Sequence, residues 1–187
     1  GRYADAAVYG TKADQYEPLE ALLDRFDVPW IAAHMGGWPE DLAFLDGLLS
    51  RHPRLHLDTS ATKWMIRELS RHHSETLTGF LDRWQGRVLF GSDILTADDH
   101  LRDAGGTACT PSPASSLQEA TELYASRYCA LRTLLETSYE GPSPIEDPDS
   151  PGGRSTLRGA ALPTDLLGML YGRAAEAFLA SLTRTAV

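Results

Sequence analysis

Three places in this sequence put acid-base side chains directly after short apolar runs. WIAAH ends in His34 and continues Met35, Gly36, Gly37; RLHLD ends in Asp58 and continues Thr59, Ser60; RVLFG is followed by Ser92 and Asp93. An imidazole moves protons near neutral pH, and a carboxylate can take a proton from water or bind a divalent cation. Gly36 and Gly37 after the histidine would let a ligand or a neighbouring strand approach the backbone closely, which makes them candidate substrate-binding positions. Each residue alone has a plainer use: His34 as a core histidine satisfied by a backbone carbonyl, and Asp93 as a helix cap. For Asp93 the cap and a metal ligand stay open side by side. The coincidence of three polar strand ends is the signal.

The elements that must hold these residues follow from periodicity. DQYEPLEALLDRF (Asp14 to Phe26) spaces Leu19, Leu22, Leu23 and Phe26 as a helix after an Asp14 cap, and VPWIAAH reads as a buried strand. PEDLAFLDGLLSRH returns to helical spacing through Leu42, Leu45, Leu48 and Leu49, with Pro39 and acidic residues in the first turn. RLHLDTS is the second strand, a helical tract from Thr62 to Trp84 breaks near His72 and His73, and RVLFGSD is the third strand. Alternation of this kind predicts an α/β fold with a parallel sheet and covering helices, in which ligands gather at the carboxyl ends of the strands.

The chain divides into an irregular lead-in over 1–13, strand-helix units over 14–93, a loop and helix insert over 94–159, and a closing helix over 160–187. Within the insert, Ile94 to Ser116 and Glu140 to Gly159 are rich in turn formers and predict loops, whereas Leu117 to Tyr139 predicts a helix. Leu162 to Leu182, opened by Pro163 and Thr164, predicts the final helix. No internal repeat is present.

The other titratable residues have weaker claims. Adjacent His72 and His73 cannot face the same way on a helix and belong on a solvated face; His52 ends a helix, where its charge suits the dipole. His56 shares a strand face with Asp58. Asp98, Asp99 and His100 would line a pocket mouth or a solvated loop, and Asp147 to Asp149 reads as a turn, lacking the further oxygen ligands of a calcium loop.

Composition narrows the function class. The chain has 187 residues, 42% of them hydrophobic, enough for one domain with a real core. A net charge of −9 argues against nucleic acid or an anionic membrane as partner and favours a small molecule or another protein. Two cysteines, Cys109 and Cys129, form neither a disulfide framework nor a zinc knuckle, so a reducing, cytoplasmic setting is expected. No stretch approaches a membrane span or a signal pattern. The first residue is Gly rather than Met, which fits a piece of a longer chain.

Together these segments resemble the later half of the amidohydrolase superfamily, specifically the amidohydrolase-related group of metal-dependent hydrolases that includes aromatic-acid decarboxylases and lactone hydrolases. WIAAHMGG is similar to that group's sixth-strand segment, RLHLDTSA to its seventh, RVLFGSD to its eighth, and LYGRAAEAFL to its closing helix. His34 and Asp93 are 59 residues apart, room for one strand and two helices. The resemblance covers about residues 14 to 182 and implies strands six to eight of a TIM-type (β/α)8 barrel with a C-terminal helical extension, the first five strands being absent.

The resemblance implies one divalent ion, zinc or sometimes manganese, held by Asp93 and by histidines from the absent strands. Asp93 would accept a proton from the ion's bound water, and His34 would polarise a carbonyl or move a proton. Arg127 and Tyr128 are candidates for anchoring a substrate carboxylate, with a surface arginine as the alternative for the former. Departures are clear: no His-x-His occurs, and Arg173 stands where the family's closing helix carries Asn. One carboxylate and one histidine cannot hold a zinc ion that normally has three protein ligands, so the chain alone is expected to be inactive. Open sheet edges favour self-association, a homo-oligomer included. Decarboxylation or hydration would use the same framework. The rival of another class is a non-catalytic α/β module whose strand-end residues are caps and whose insert binds a protein.

Overall fold

Leu55 and Leu57 alternate with His56 and Asp58, and this alternation puts two leucines wholly inside the protein at the centre of its sheet. In the computed structural model, which describes residues 5–94, 114 and 116–184, β1 (Trp30–Ala32), β2 (Leu55–Asp58) and β3 (Val88–Leu89) lie side by side in that order, all parallel. Ala32 is opposite Leu57 and Asp58 opposite Leu89, so the three polar strand ends are in register at one end of the sheet. The described residues mix helices with two small sheets, and no closed barrel is formed among them.

The helices before the third strand are α1 (Ala6–Tyr9), α2 (Tyr16–Arg25), the short turn α3 (Ala33–Gly36), α4 (Leu42–Arg51), α5 (Thr62–Leu69) and α6 (Ser74–Arg83). Leu45, Leu48 and Leu49 of α4, Met65 and Ile66 of α5, and Leu77 and Leu81 of α6 join Met35, Leu55 and Leu57 in one core. α1 departs from the irregular lead-in expected there, being one turn capped by Asp5. Asp14 does not cap α2: its carboxylate accepts from Thr11 N at 2.7 Å and closes the preceding turn, leaving Gln15 at the cap. α4 begins after Asp41, whose Oδ1 accepts from Phe44 N at 2.9 Å, rather than at Pro39. The break between α5 and α6 falls at His72 and His73, but His72 is half-buried and its Nε2 donates to Pro39 O at 2.8 Å, which corrects its placement on a solvated face.

His52 ends α4 as expected and is buried against Glu20, with Nε2 to Oε2 at 2.9 Å. Glu20 also takes both arms of Arg51 at 2.9 Å; that hydrogen-bonded guanidinium, above all, holds the Glu20 carboxyl down to about 2.

Downstream, α7 (Leu117–Glu136) starts at Ser116, whose Oγ accepts from Glu119 N at 3.1 Å. The segment expected to be loop after it contains an antiparallel pair, β4 (Glu140–Pro142) with β5 (Thr156–Arg158). Turn formers mask this pair in the sequence because they fill its connecting loop, while Ile145 and Leu157 anchor it in the core. The closing helix runs as α8 (Thr164–Gly168), a wider π turn over Met169–Arg173, and α9 (Ala174–Arg184). The π turn releases carbonyls from the α pattern, and Leu170 O accepts from Phe90 N at 3.1 Å, tying the end of β3 to this helix. Among the described residues, no helix is long and apolar enough to cross a membrane.

Gly36 and Gly37 have left-handed φ of 63° and 83°. A Cβ on Gly36 would lie 3.2 Å from Leu57 Cδ2 and 3.3 Å from Leu45 Cδ2, so the close approach this glycine permits is to the core. Its carbonyl accepts from Tyr16 OH at 2.7 Å; burial, followed by the charges of Glu40 and Asp41, pushes that phenol up to about 12. Gly36→Ala should therefore cost about 1–2 kcal/mol of stability, the left-handed penalty, as read from the urea midpoint. An unchanged midpoint would show that the turn can relax without the glycine.

Candidate functional site

Asp58 organises the carboxyl end of the sheet. Its Oδ1 accepts from His34 N at 2.8 Å, from Ser60 N at 3.0 Å and from the Ser60 hydroxyl. Ser60 Oγ also lies 2.7 Å from His34 Nδ1. The donor count fixes the protons. A carboxylate only accepts and a serine has one hydroxyl proton, so that proton points to Asp58 and Ser60 Oγ accepts from His34 Nδ1–H. Neutral His34 then carries its lone pair on Nε2, the nitrogen not committed to Ser60. Removing the acceptor in Ser60→Ala is expected to turn one dominant His34 tautomer into a mixture, visible in the 15N shifts of the ring. An identical 15N pattern in the variant would mean that Ser60 does not set the tautomer.

The chain after β3 is strapped over this cluster. Thr59 Oγ1 donates to Gly91 O at 3.1 Å and accepts from Gly91 N at 3.0 Å, and Thr62 Oγ1 donates to Ser92 O at 2.8 Å. A Cβ on Gly91 would lie 3.1 Å from Ser60 Cβ and 3.4 Å from Asp58 Cγ, so a residue without a side chain is what lets β3 leave the sheet across Asp58 and Ser60. This is the glycine in the VLFGSD segment that close approach requires.

Each strand is followed by a non-glycine residue in the left-handed region: His34 (φ 58°), Ala61 (φ 63°) and Asp93 (φ 53°) after β1, β2 and β3. Such backbone costs about 1–3 kcal/mol per residue and gathers at functional sites, and His and Asp tolerate it better than most. Met35 shares the turn with His34, and Ala161, before the closing helix, is the remaining case among the described residues.

Asp93 lines a cavity of about 220 Å³ together with Trp64, Arg67, Arg127 and Asp147. Trp64 connects the two halves of the site: its ring lies 6.3 Å from that of His34, centroid to centroid, and the same side chain walls the Asp93 cavity. Lys12 Nζ stands 5.5 Å from the Trp64 ring and 5.3 Å from that of Trp38, and pairs with Glu40 at 3.1 Å. No hydrogen bond joins His34 to Asp93 among the described residues. They share a neighbour rather than a direct contact.

The other candidates are placed as follows. Arg127 lines the Asp93 cavity, whereas Tyr128 packs against Phe90, centroids 6.4 Å apart, with its hydroxyl 3.5 Å from Ser92 Oγ. Gly36 and Gly37 face the core and Tyr16, as described. His56 stands on the same face of β2 as Asp58 but meets Phe178 of α9 at 4.7 Å, and burial pulls its imidazole down. Asp98, Asp99 and His100 lie outside the described residues. Asp147 does form a turn, accepting from Asp149 N at 3.2 Å and Ser150 Oγ at 2.9 Å. It is also buried, and Arg67 Nη1 pairs with it at 2.6 Å. Burial works to raise its carboxyl, but the Ser150 and Arg67 hydrogen bonds outweigh it and hold the group below its ordinary value.

Sequence reasoning passed over Trp64 and Arg67 and took Ser60 only as part of a polar strand end. A serine two positions past a strand-end aspartate was a usable signal; nothing in the spacing of Arg67 and Asp147, 80 residues apart, announces their pair.

The side chains described around the sheet end do not by themselves make a metal site. Ser60 engages His34 Nδ1, three donors occupy Asp58 Oδ1, and Arg67 takes Asp147. Among the described residues, no group of three or more His, Cys, Asp or Glu side chains could hold an ion. Compared with family models, with curated proteins and with solved structures, the chain shows no match.

Proposed function

We propose that the carboxyl end of this sheet is the working face of a hydrolase of the amidohydrolase-related type, acting on the carbonyl of a small substrate. On this reading β1, β2 and β3 are strands six to eight of a (β/α)8 barrel. The observation that supports it best is the meeting of His34, Asp58 and Ser60 beside the Asp93 cavity, at the end of a parallel sheet where all three strands pass into left-handed residues.

The chain's residues divide the work. His34, its Nδ1–H held by Ser60, presents Nε2: as a base when neutral, and as a donor to the carbonyl oxygen when protonated. Asp93 takes a proton from the attacking water. Arg127, on the same cavity wall, offers a guanidinium to an acidic group of the substrate. Asp58 and Ser60 are positioning residues. A divalent ion, zinc or manganese, belongs to such a hydrolase, and Asp93 is the one ligand that the described residues would contribute.

The test uses the complete gene product with a panel of small lactones, amides and aromatic carboxylic acids. His34→Gln and Asp93→Asn should each lower kcat/KM by about 100-fold or more, the usual scale of acid-base catalysis, with the circular dichroism spectrum unchanged. Full turnover in both variants would refute the proposal, as would loss of folded structure in both, which would make the two residues structural caps.

A further inference from the structure

Beside the sheet end, arginines gather around a second cavity. An open cavity of about 740 Å³ is lined by four arginines, Arg67, Arg71, Arg154 and Arg158, against two carboxylates, Glu68 and Asp149. In a chain of net charge −9, such a surface requires an explanation. The carboxylates around it spread themselves unevenly over the cations. Arg67 is committed to Asp147 and Glu68 at 2.6 and 2.8 Å, Arg71 to Glu68 at 2.6 Å, and Arg158 to Glu140 at 3.0 Å. Arg154 is held far more loosely, with Glu146 at 4.0 Å and Ser143 O at 3.5 Å.

A second observation points the same way. Ser70 lines this cavity and is 6% exposed, yet among the described residues its Oγ has no hydrogen-bond partner. A buried hydroxyl is nearly always paired, so Ser70, whose oxygen is out of contact with solvent, is an unsatisfied polar group in the wall of this cavity. The floor of the cavity is the C-terminal end of α5, whose carbonyl dipoles would repel an anion. Arg67 on that last turn and Arg71 just beyond it set positive charge against those carbonyls, each paired in part with a carboxylate.

We propose that this cavity binds a doubly charged oxyanion, a phosphate monoester or a dicarboxylate, through Arg154 and Arg71 with Ser70 as a further donor. Guanidinium forks match both anions, and arginine keeps its charge at every physiological pH. The cavity shares Arg67 and Asp149 with the one that Asp93 lines, so the two are adjoining compartments with a common wall. If the sheet end is the catalytic face proposed above, on which this last step rests, the substrate carries a second oxyanion here, beyond the acidic group that Arg127 meets, and its reacting carbonyl on the Asp93 side.

The experiment is calorimetric titration of the complete gene product with inorganic phosphate and, separately, with succinate. Saturable binding of one or both is expected; the tighter of the two identifies the class of anion. Arg71→Gln with Arg154→Gln should weaken binding by about tenfold or more, the scale of losing charged hydrogen bonds, while His34→Gln leaves it within about twofold. Absence of saturable binding, or equal affinity in the doubly substituted protein, overturns the inference. Because His34→Gln and Asp93→Asn are scored by turnover and this site by anion binding, the two proposals fail separately.

Discussion

Replacing Asp58 by alanine is expected to lower the unfolding free energy by about 3 kcal/mol, whereas Asp58→Asn loses less than half of that. One carboxylate oxygen accepts from two backbone amides and one hydroxyl, and those donors join the ends of β1 and β2. Alanine strands all three. Each hydrogen bond to a charged group is worth about 1.5–3 kcal/mol, but the sum is not additive and water reaches the half-buried side chain, hence the lower total. Asparagine retains an acceptor at the same place and loses mainly the charge. Urea unfolding of the three proteins measures the difference. Equal losses for the alanine and asparagine variants would mean that the carboxylate acts through its charge alone and does not knit the strand ends by hydrogen bonding.

Arg67→Met should cost about as much, roughly 3 kcal/mol at pH 7, because it leaves Asp147 buried without its cation. The pH dependence carries the sharper prediction. In the native protein the Asp147 carboxyl is held below its ordinary 3.8, so its contribution is fully present above that pH and is lost as pH falls through the folded value. In the variant the cation is gone and burial dominates, raising the same carboxyl. Protonation then relieves the stranded charge at a higher pH than in the native protein. The gap in stability between the two should therefore shrink steadily from pH 7 to pH 4. A gap that stays constant or widens would show that Arg67 stabilises by packing its stem, not by pairing with Asp147.

Local pattern carried the strands and most helices, and long-range pairing did not reach the sequence at all. The alternation in RLHLD placed Leu55 and Leu57 inside, and the apolar spacing after Asp41 placed α4, because both depend on residues close together in the chain. Asp14 misled because aspartate closes a turn as readily as it caps a helix, and the two uses differ only in which amide it meets. The β4 and β5 pair was hidden because its turn formers outnumber the few residues that pair. At the site, His34 and Asp93 stood out by type and position, whereas the roles of Ser60 and Trp64 depend on contacts across β1, β2 and α5 that no local rule supplies. Gly36 and Gly37 left room for a ligand or a neighbouring strand; beside Gly36 it is Leu57 of the neighbouring strand, with Leu45 of α4, that fills the room.

The claim beneath the functional proposal is that His34 and Asp93, which touch only through a common neighbour, act on one substrate. A double-mutant cycle on kcat/KM in the complete gene product tests it most directly, using His34→Gln, Asp93→Asn and both together. Residues that serve one reaction step are grossly non-additive, so the double variant should fall no more than about tenfold below the worse single variant. Losses that multiply in full, each residue contributing regardless of the other, would contradict a shared site.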